Sequence, residues 1–462
     1  MTGCGPRRRS DPVGTERVTR PVDAVQRYVA QYEAFAANGG GAAPAWLREL
    51  RAAGIARFAD AGFPTTRQEE WRFTSVAPLI EHAFVPAPAG AGPGPVAARG
   101  ETLRMVFVNG KFAPDRSSLT GLPAGVRVGS LAALLAGASG AAAFVERHLG
   151  RGAVPADNVF AALNTAFVAD GAVIHLTRGA VLAEPLHVIF ASAPGGTPAV
   201  SHPRLLLVAD EQARATVVEH YVALEDAPYW TNAVTEVVVG DGADVEVVRI
   251  QEERLGAYHV ASTHTRQGRD SALRLHPLVL GAGWARHDIT NVLDGPGAEL
   301  LLNGLYLLGG RQHADHHTVI DHAQPDGRSH EFMNGVLDGS ARGVFNGRII
   351  VRPGAQRTDS KQTNHNLVLS EEARADSQPQ LEIYADDVKC THGATLGPLD
   401  PKELFYLQSR GLAPEEARAL LTYGFGAEIL ERLRHPGLRE GLDGTLRARL
   451  AAGHVTEPAR QR

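Results

Sequence analysis

The chain is poor in cysteine, in lysine and in long apolar runs, and each shortage excludes something. Its 462 residues include two cysteines, Cys4 and Cys390, so neither a disulfide framework nor a four-thiolate zinc site can be built. Scarce cysteine also fits a reducing compartment, and the expected location is cytoplasmic. Lysine occurs only at Lys111, Lys361, Lys389 and Lys402; with abundant Ala, Gly and Pro, the preference for arginine reads as genomic composition bias. Basic residues number 46 against 51 acidic ones, a net charge of −5. No basic surplus exists to neutralise phosphates, which argues against nucleic acid as a partner. A long uncharged run, Val128 to Val145, is broken by Gly129, Ser130, Gly137, Ser139 and Gly140. A spanning helix needs ~20 strongly apolar residues, so an Ala-rich soluble helix is expected there and no membrane association. Arg7-Arg8-Arg9 is followed by Ser10-Asp11-Pro12 and not by the apolar stretch of a secretory signal. Residues 1–20 are expected to be a disordered tail.

Nucleotide-binding signatures are missing as well. Gly110-Lys111 lacks the upstream glycine and the following hydroxyl of a phosphate-binding loop. No G-x-G-x-x-G lies between a strand and a helix, and there is no G-x-S-x-G elbow. Any ATP hydrolysis that the task requires must come from a partner.

What is present falls into three regions. From residue 21 to about 100 the period is helical: Val25, Tyr28, Val29 and Tyr32 share a face, and Pro44 opens a helix through Leu47 and Leu50. Thr66 and Glu69 read as a capping box before Trp71, and Pro86 to Arg99 reads as a linker. From 101 to 398 a short strand at Val106-Phe107-Val108 and helical stretches at Leu131–His148 and Asn158–Val168 give way to recurring strands. These fall at Leu205–Val208, Thr216–Val222, Val234–Val239, Val245–Ile250, Leu273–Leu280, Leu300–Leu308, Val344–Val351 and Leu381–Tyr384. Ala213, Ala243, Ala272 and Ala298 each lead into a strand, at steps of 30, 29 and 26 residues. With no intervening helices, this repeat favours a solenoid over a sandwich. From 399 to 462 helices return: Asp400 caps the first, Pro401 opens it and Gly411 stops it. A second is expected from Pro414, broken at Gly424-Phe425-Gly426 before a third.

Three groups of residues carry chemistry. His313, Asp315 and His317 project to one side of an extended strand, with His316, His322 and Asp321 nearby, a spacing that suits a borderline metal. Exposed groups hydrogen-bonding between coils are the competing account. Cys390 and His392 also share a strand face, able to bind metal or to act as nucleophile and base, against the plainer reading of a buried, inert thiol. Asp376, Glu382, Asp386 and Asp387 admit a carboxylate pair of the kind that cleaves polysaccharides. A metal-dependent or carbohydrate-active β-solenoid enzyme is therefore the alternative function to be weighed.

The run Pro379 to Gly393, PQLEIYADDVKCTHG, with Ala394-Thr395 resembles the signature of the SufD branch of the SufB/SufD family, scaffold subunits of the SUF iron–sulfur cluster assembly machinery. Gly335–Gly339, Gly343–Gly347, Asn364–Ser370, Leu404–Gly411 and the E-E-W pattern at Glu69-Glu70-Trp71 agree. No cysteine stands at Thr363–Asn366, and Gly393 follows the signature histidine where SufB-like proteins carry glutamate; both departures favour the SufD branch. The resemblance covers roughly residues 22 to 440. It implies a mainly β fold, a right-handed parallel β-helix flanked by N-terminal and C-terminal helical regions. It further implies a non-catalytic scaffold that pairs with a SufB-like paralogue or forms a homodimer. A SufC-like ATPase would bind the C-terminal helices through Phe405, Tyr406, Ser409 and Arg410. His392, with Cys390, falls at the position where a transient iron–sulfur cluster forms at the partner interface, His392 as a transient metal ligand; no cofactor is expected to be held tightly by the isolated chain.

Overall fold

A computed structural model describes residues 21–38, 43–90, 101–137, 139–151, 158–450 and 454–455. The expected tail with Cys4, and residues 91–99 of the expected linker, lie outside the described residues.

The first helices are α1 (Pro21–Ala37) and α2 (Ala45–Ala61), the latter opening behind Pro44 as its sequence implies. The capping box expected at Thr66 and Glu69 does not form. The bonds sit one residue earlier, from Thr65 N–H to Gln68 Oε1 and from Arg67 N–H to Thr65 Oγ1, and only one 3-10 turn, Glu69–Trp71, follows. A short α3 (Ala77–Ile80) leads to β1 (Val85–Pro86), β2 (Leu103–Val108), β3 (Lys111–Phe112) and β4 (Val126–Ser130). The uncharged run is therefore part strand. Its remainder forms α4 (Leu131–Ala136) and α5 (Ser139–His148), separated near Gly137, and α6 (Val159–Phe167) follows. Among the described residues no helix is long and apolar enough to cross a membrane.

The chain then winds. In order come β5 (Ala172–Leu176), β6 (Leu186–Ser192), β7 (Ala199–Ser201), β8 (Arg204–Ala209), β9 (Arg214–Ala223), β10 (Tyr229–Val239), β11 (Asp244–Gln251), β12 (Ala257–Gln267) and β13 (Ala272–Val279). Next are β14 (Trp284–Leu293), β15 (Glu299–Leu308), β16 (His313–His322), β17 (Arg328–Leu337), β18 (Arg342–Val351), β19 (Thr358–Val368), β20 (Arg374–Ile383) and β21 (Val388–Gly397). One sheet orders β20-β18-β16-β14-β12-β10-β8-β5-β4 and the other β21-β19-β17-β15-β13-β11-β9-β6-β2-β3. β5 and β6 pair in parallel with β8 and β9, with the short β7 between. From β8 on, successive strands alternate between the sheets and each pairs in parallel with the strand two places on, which makes a parallel β-solenoid of eight coils from β5–β6 to β20–β21.

The repeat seen in the sequence is the coil, with one slip. Arg214 pairs with Asp244, Asp244 with Ala272, and Ala272 with Glu299. The residues stacked just before those strands are thus Ala213, Ala243, Ser271 and Ala298, all fully buried. Ala272 belongs to the next position and is only half-buried, because the intervening turn is shorter than alanine spacing implied. The turns enforce the stacking. Gln212, Asp270, Asp326 and Arg357 have φ of 58°, 51°, 63° and 61°, with Gly242 and Gly297 at 64° and 72° in the same series. Each of these left-handed residues donates its N–H to a carbonyl of the next coil, as from Gly242 to Arg269 and from Asp326 to Gln356.

Apolar side chains dominate the inward faces of the early coils and form one continuous core, into which the buried Glu219 and Arg249 are also set. The outer face near β10, β12 and β14 is covered by the N-terminal helices, where Trp230, Val260 and Trp284 meet Tyr28, Phe58 and Phe160. C-terminal helices α7 (Pro401–Ser409), α8 (Pro414–Leu430) and α9 (Pro436–Arg449) follow the solenoid. Asp400 accepts from Lys402 N–H as the cap of α7, and Gly411 ends the segment with φ of 98°. The break expected at Gly424-Phe425-Gly426 does not occur. α8 runs through it, because Gly426 gives close passage to Leu446 of α9 and Ile429 and Leu430 continue onto the solenoid. Burial against neighbouring elements outweighs the helix cost of two glycines, about 1 kcal/mol each.

Candidate functional site at the open end of the solenoid

Both sheets stop at uncovered strands. β20 and β21 are the final members of their sheets, so among the described residues each has a hydrogen-bonding edge with no neighbouring strand. Such an edge is a template for pairing with another chain unless it is blunted. Apolar groups are exposed there too: Ile383 at 40 %, Tyr384 at 61 % and Leu396 at 60 %.

Cys390 and His392 lie on β21, on the same side of the strand, as the alternation of a strand requires. Cys390 is half-buried and packs against the end of the inner core. Burial pushes its thiol up, and the neighbouring charge of Asp359 pushes the same way. The free chain therefore holds Cys390 as a neutral thiol and not as a ready thiolate. His392 is exposed. The two donors can face one metal centre, but two are fewer than the roughly four protein ligands that clusters usually take.

Beneath them the interior changes character. One inward column reads Val217, Val247, Leu275, Leu302, Glu331, Gln362 and His392. The adjacent column reads Ala215, Val245, Leu273, Leu300, Ser329, Ser360 and Cys390. Both are apolar for four coils and polar for three. Gln362 Nε2 donates to Glu331 Oε2 at 2.6 Å; Ser329 and Ser360 share a hydroxyl contact of 2.7 Å, and His322 Nε2 lies 2.8 Å from Ser329 Oγ. Gly347 makes room, since a Cβ there would stand 2.3 Å from Gln362 Nε2. Gly335 does the same for Tyr306, whose hydroxyl donates to Asn366 Oδ1 at 2.5 Å. Burial pushes the Glu331 carboxyl up to about 7. Sequence reasoning missed this polar tier. The signal lies in the same 30-residue repeat, continued beyond Ala298.

The other candidate groups are used structurally. His313, Asp315 and His317 do lie on the outer side of β16, yet under the N-terminal helices and not exposed. Thr74 donates to Asp315 Oδ2 at 2.5 Å, Arg286 at 2.8 Å, and His317 lies 3.1 Å from Asp315 Oδ1. Burial works to raise the Asp315 carboxyl, but His317, Arg286 and Thr74 hold it well below the usual carboxylate range. Arg286 also lies 3.7 Å over the Trp71 ring and donates to Glu70 O, which gives the E-E-W pattern a docking role. His316 and His322 point inward instead. Among the described residues no group of three or more His, Cys, Asp and Glu is placed to hold a metal ion.

The carboxylates do not pair either. Asp376 binds Arg342 at 2.8 Å and Glu382 faces Arg348 at 3.7 Å. Six residues apart on one strand, they are about 20 Å from each other, whereas glycoside cleavage needs roughly 5–10 Å. Asp386 and Asp387 are exposed in the turn before β21.

Phe405, Tyr406 and Ser409 lie on α7, a helix with no buried residue, and Arg410 is its C-cap. Phe405 is 72 % and Tyr406 57 % exposed. Ser409 Oγ donates to Tyr406 O at 2.7 Å, and Arg410 stacks 5.5 Å from the Tyr406 ring. An aromatic pair held by its own helix and left uncovered is a ready contact surface.

Residues 190–425 match the family described as the SUF system FeS cluster assembly, SufBD core domain, and residues 99–188 match the SufBD protein N-terminal region. An iron–sulfur cluster assembly SufBD family protein of Synechocystis is 35 % identical over 383 residues, covering 80 % of this chain and 84 % of that protein. The iron–sulfur cluster assembly protein SufD of Escherichia coli is 31 % identical over 400 residues, covering 85 % and 90 %. SufD of Bacillus subtilis is 30 % identical over 303 residues, covering 64 % and 68 %. With the parallel solenoid and these matches together, the chain belongs to the SufB/SufD family of SUF-system iron–sulfur cluster assembly proteins and is SufD-like.

Proposed function

We propose that this chain is the SufD-type, non-catalytic scaffold subunit of a cytoplasmic cluster-assembly complex. A SufB-like paralogue seats on β20 and β21, and a nascent iron–sulfur cluster, the cargo, forms where His392 and Cys390 meet that partner. A SufC-like ATPase docks on α7 through Phe405, Tyr406, Ser409 and Arg410 and supplies the hydrolysis. The observation that supports the reading most is the joint placement of Cys390 and His392 on the last strand of the solenoid, whose outer edge has no partner strand among the described residues. Two donors at the open end of the solenoid are half a ligand set, and the partner completes it. A second copy of the chain can occupy the same edge when the paralogue is absent.

Anaerobic co-expression with SufB-like and SufC-like partners tests this directly. The wild-type complex is expected to show cluster absorbance, and His392→Ala to lose it while the three-subunit complex still forms. Intact cluster formation by His392→Ala would remove His392 from the site. A separate measurement addresses the helix. Phe405→Ala/Tyr406→Ala is expected to weaken ATPase binding at least tenfold in calorimetry, with the solenoid's melting unchanged because neither ring is buried. Equal affinity would place the ATPase elsewhere.

A further inference from the structure

The polar tier beneath β21 gives the site a second layer. Gln362 is in register with His392 on one side and with Glu331 on the other. It is fully buried, and its amide is half used: Nε2 donates to Glu331, while Oε1 has no partner. The two heteroatoms of a planar amide diverge from one carbon, so committing the nitrogen to the Glu331 coil turns the oxygen away from it. The next coil outward at this column is His392, one strand spacing away, ~4.8 Å. A buried carbonyl oxygen without a donor is costly, and His392 carries the N–H that can reach it.

We propose that Gln362, anchored by Glu331, is the positioning residue for His392: its Oε1 accepts the imidazole N–H that faces the interior. The contact fixes one tautomer and leaves the lone pair of the other ring nitrogen directed out of the open end. Histidines that bind metals commonly have their second nitrogen held by such an acceptor, which sets ring orientation and raises ligand basicity. A carboxylate at position 331 matters because, once ionised, it accepts only, so it holds the amide nitrogen inward and its oxygen outward. Glutamine at 331 would present both donor and acceptor and let the amide turn over. The purpose assigned to this contact rests on the reading of His392 as a ligand site; the contact itself does not.

The test is two-bond 15N–1H correlation of the full-length chain with 15N-labelled histidine, at pH 8.5. The His392 signals are assigned by their loss in His392→Asn. Wild type is expected to show His392 in one dominant tautomer. Gln362→Met keeps the volume without an acceptor, and the ratio is expected to relax to that of free imidazole. Gln362→Glu, which can still accept, is expected to keep the wild-type tautomer. Glu331→Gln leaves a neutral pair at the same volume and is expected to give an intermediate ratio, so the proposal stays testable even if Gln362→Met does not fold. An unchanged ratio in Gln362→Met or Glu331→Gln overturns it. A tautomer that shifts as expected, together with unimpaired cluster formation by His392→Ala, would uphold the contact and reject the ligand role. The two ideas therefore fail separately.

Discussion

Replacing Arg204 by methionine is expected to destabilise the chain by about 3–5 kcal/mol, the usual result of breaking a buried ion pair from one side. Arg204 and Glu236 are each 1 % exposed. Arg204 on β8 donates to Glu236 on β10 through Nε at 3.1 Å, and its NH1 donates to Asn164 Oδ1 at 2.9 Å and to Thr165 Oγ1 at 3.2 Å on α6. Glu236 also accepts the Gly150 N–H at 2.9 Å. The pair therefore ties the segment after α5, and α6 itself, to two coils of the solenoid. Loss of the guanidinium leaves a carboxylate in a dry interior without its charge partner, with the Gly150 N–H still donating to it. Charge removal on both sides should recover much of the loss. Arg204→Met/Glu236→Leu is expected to stand within about 2 kcal/mol of the parent, the remainder being the Gly150, Asn164 and Thr165 hydrogen bonds. Urea unfolding at pH 7 measures both. If Arg204→Met costs under 1 kcal/mol, water reaches this pair in solution and the junction of α6 with the solenoid is looser than the structure shows.

The solenoid was legible because its cause is periodic. Turn residues and buried alanines recur once per coil, and a repeat without helices leaves few architectures. Besides β5, β6 and β7 at its start, four solenoid strands were harder to see: β12, β14, β17 and β19. Their outward faces are covered by helices or their inward faces are polar, so the alternation that marks a half-exposed strand is absent. Thr363, Asn364 and Asn366 read as loop chemistry, yet they are buried within β19. Helix punctuation failed at Gly424-Phe425-Gly426 because tertiary contact with Leu446 and the solenoid overrode it. As for the site, strand alternation alone put Cys390 and His392 on one side. Only the register between distant coils could show what stands beneath them. The same alternation grouped His313, Asp315 and His317 correctly, but the partners that absorb them, Thr74 and Arg286, are 241 and 29 residues from Asp315 along the chain.

Glu331→Gln is expected to stabilise the chain, and to do so only above a certain pH. Burial raises the Glu331 carboxyl from an ordinary value of 4.5 to about 7. Below 4.5 it is neutral folded and unfolded, and contributes no pH dependence. As the pH rises from 4.5 to 7 the unfolded chain ionises first, so stability falls; above about 7 both states are ionised and the loss is constant. At 1.36 kcal/mol per pH unit the full loss is about 3 kcal/mol. Glutamine fits the same space, keeps a carbonyl for the Gln362 amide and does not titrate. The difference between variant and parent should then be near zero at pH 4.5 and about 3 kcal/mol in favour of the variant at pH 8. Taking the difference matters, because His316 and His322 are each pushed down to about 4 by burial and destabilise both proteins equally in acid. Urea midpoints across this range are the measurement. A variant no more stable at pH 8, or equally stabilised at pH 4.5, would mean that Glu331 is not held as a strained carboxylate. With the expected curve, the chain retains a side chain that a simple amide would improve for folding. Such a residue is retained for the site it serves, and the one its hydrogen bond reaches is Gln362, directly beneath His392.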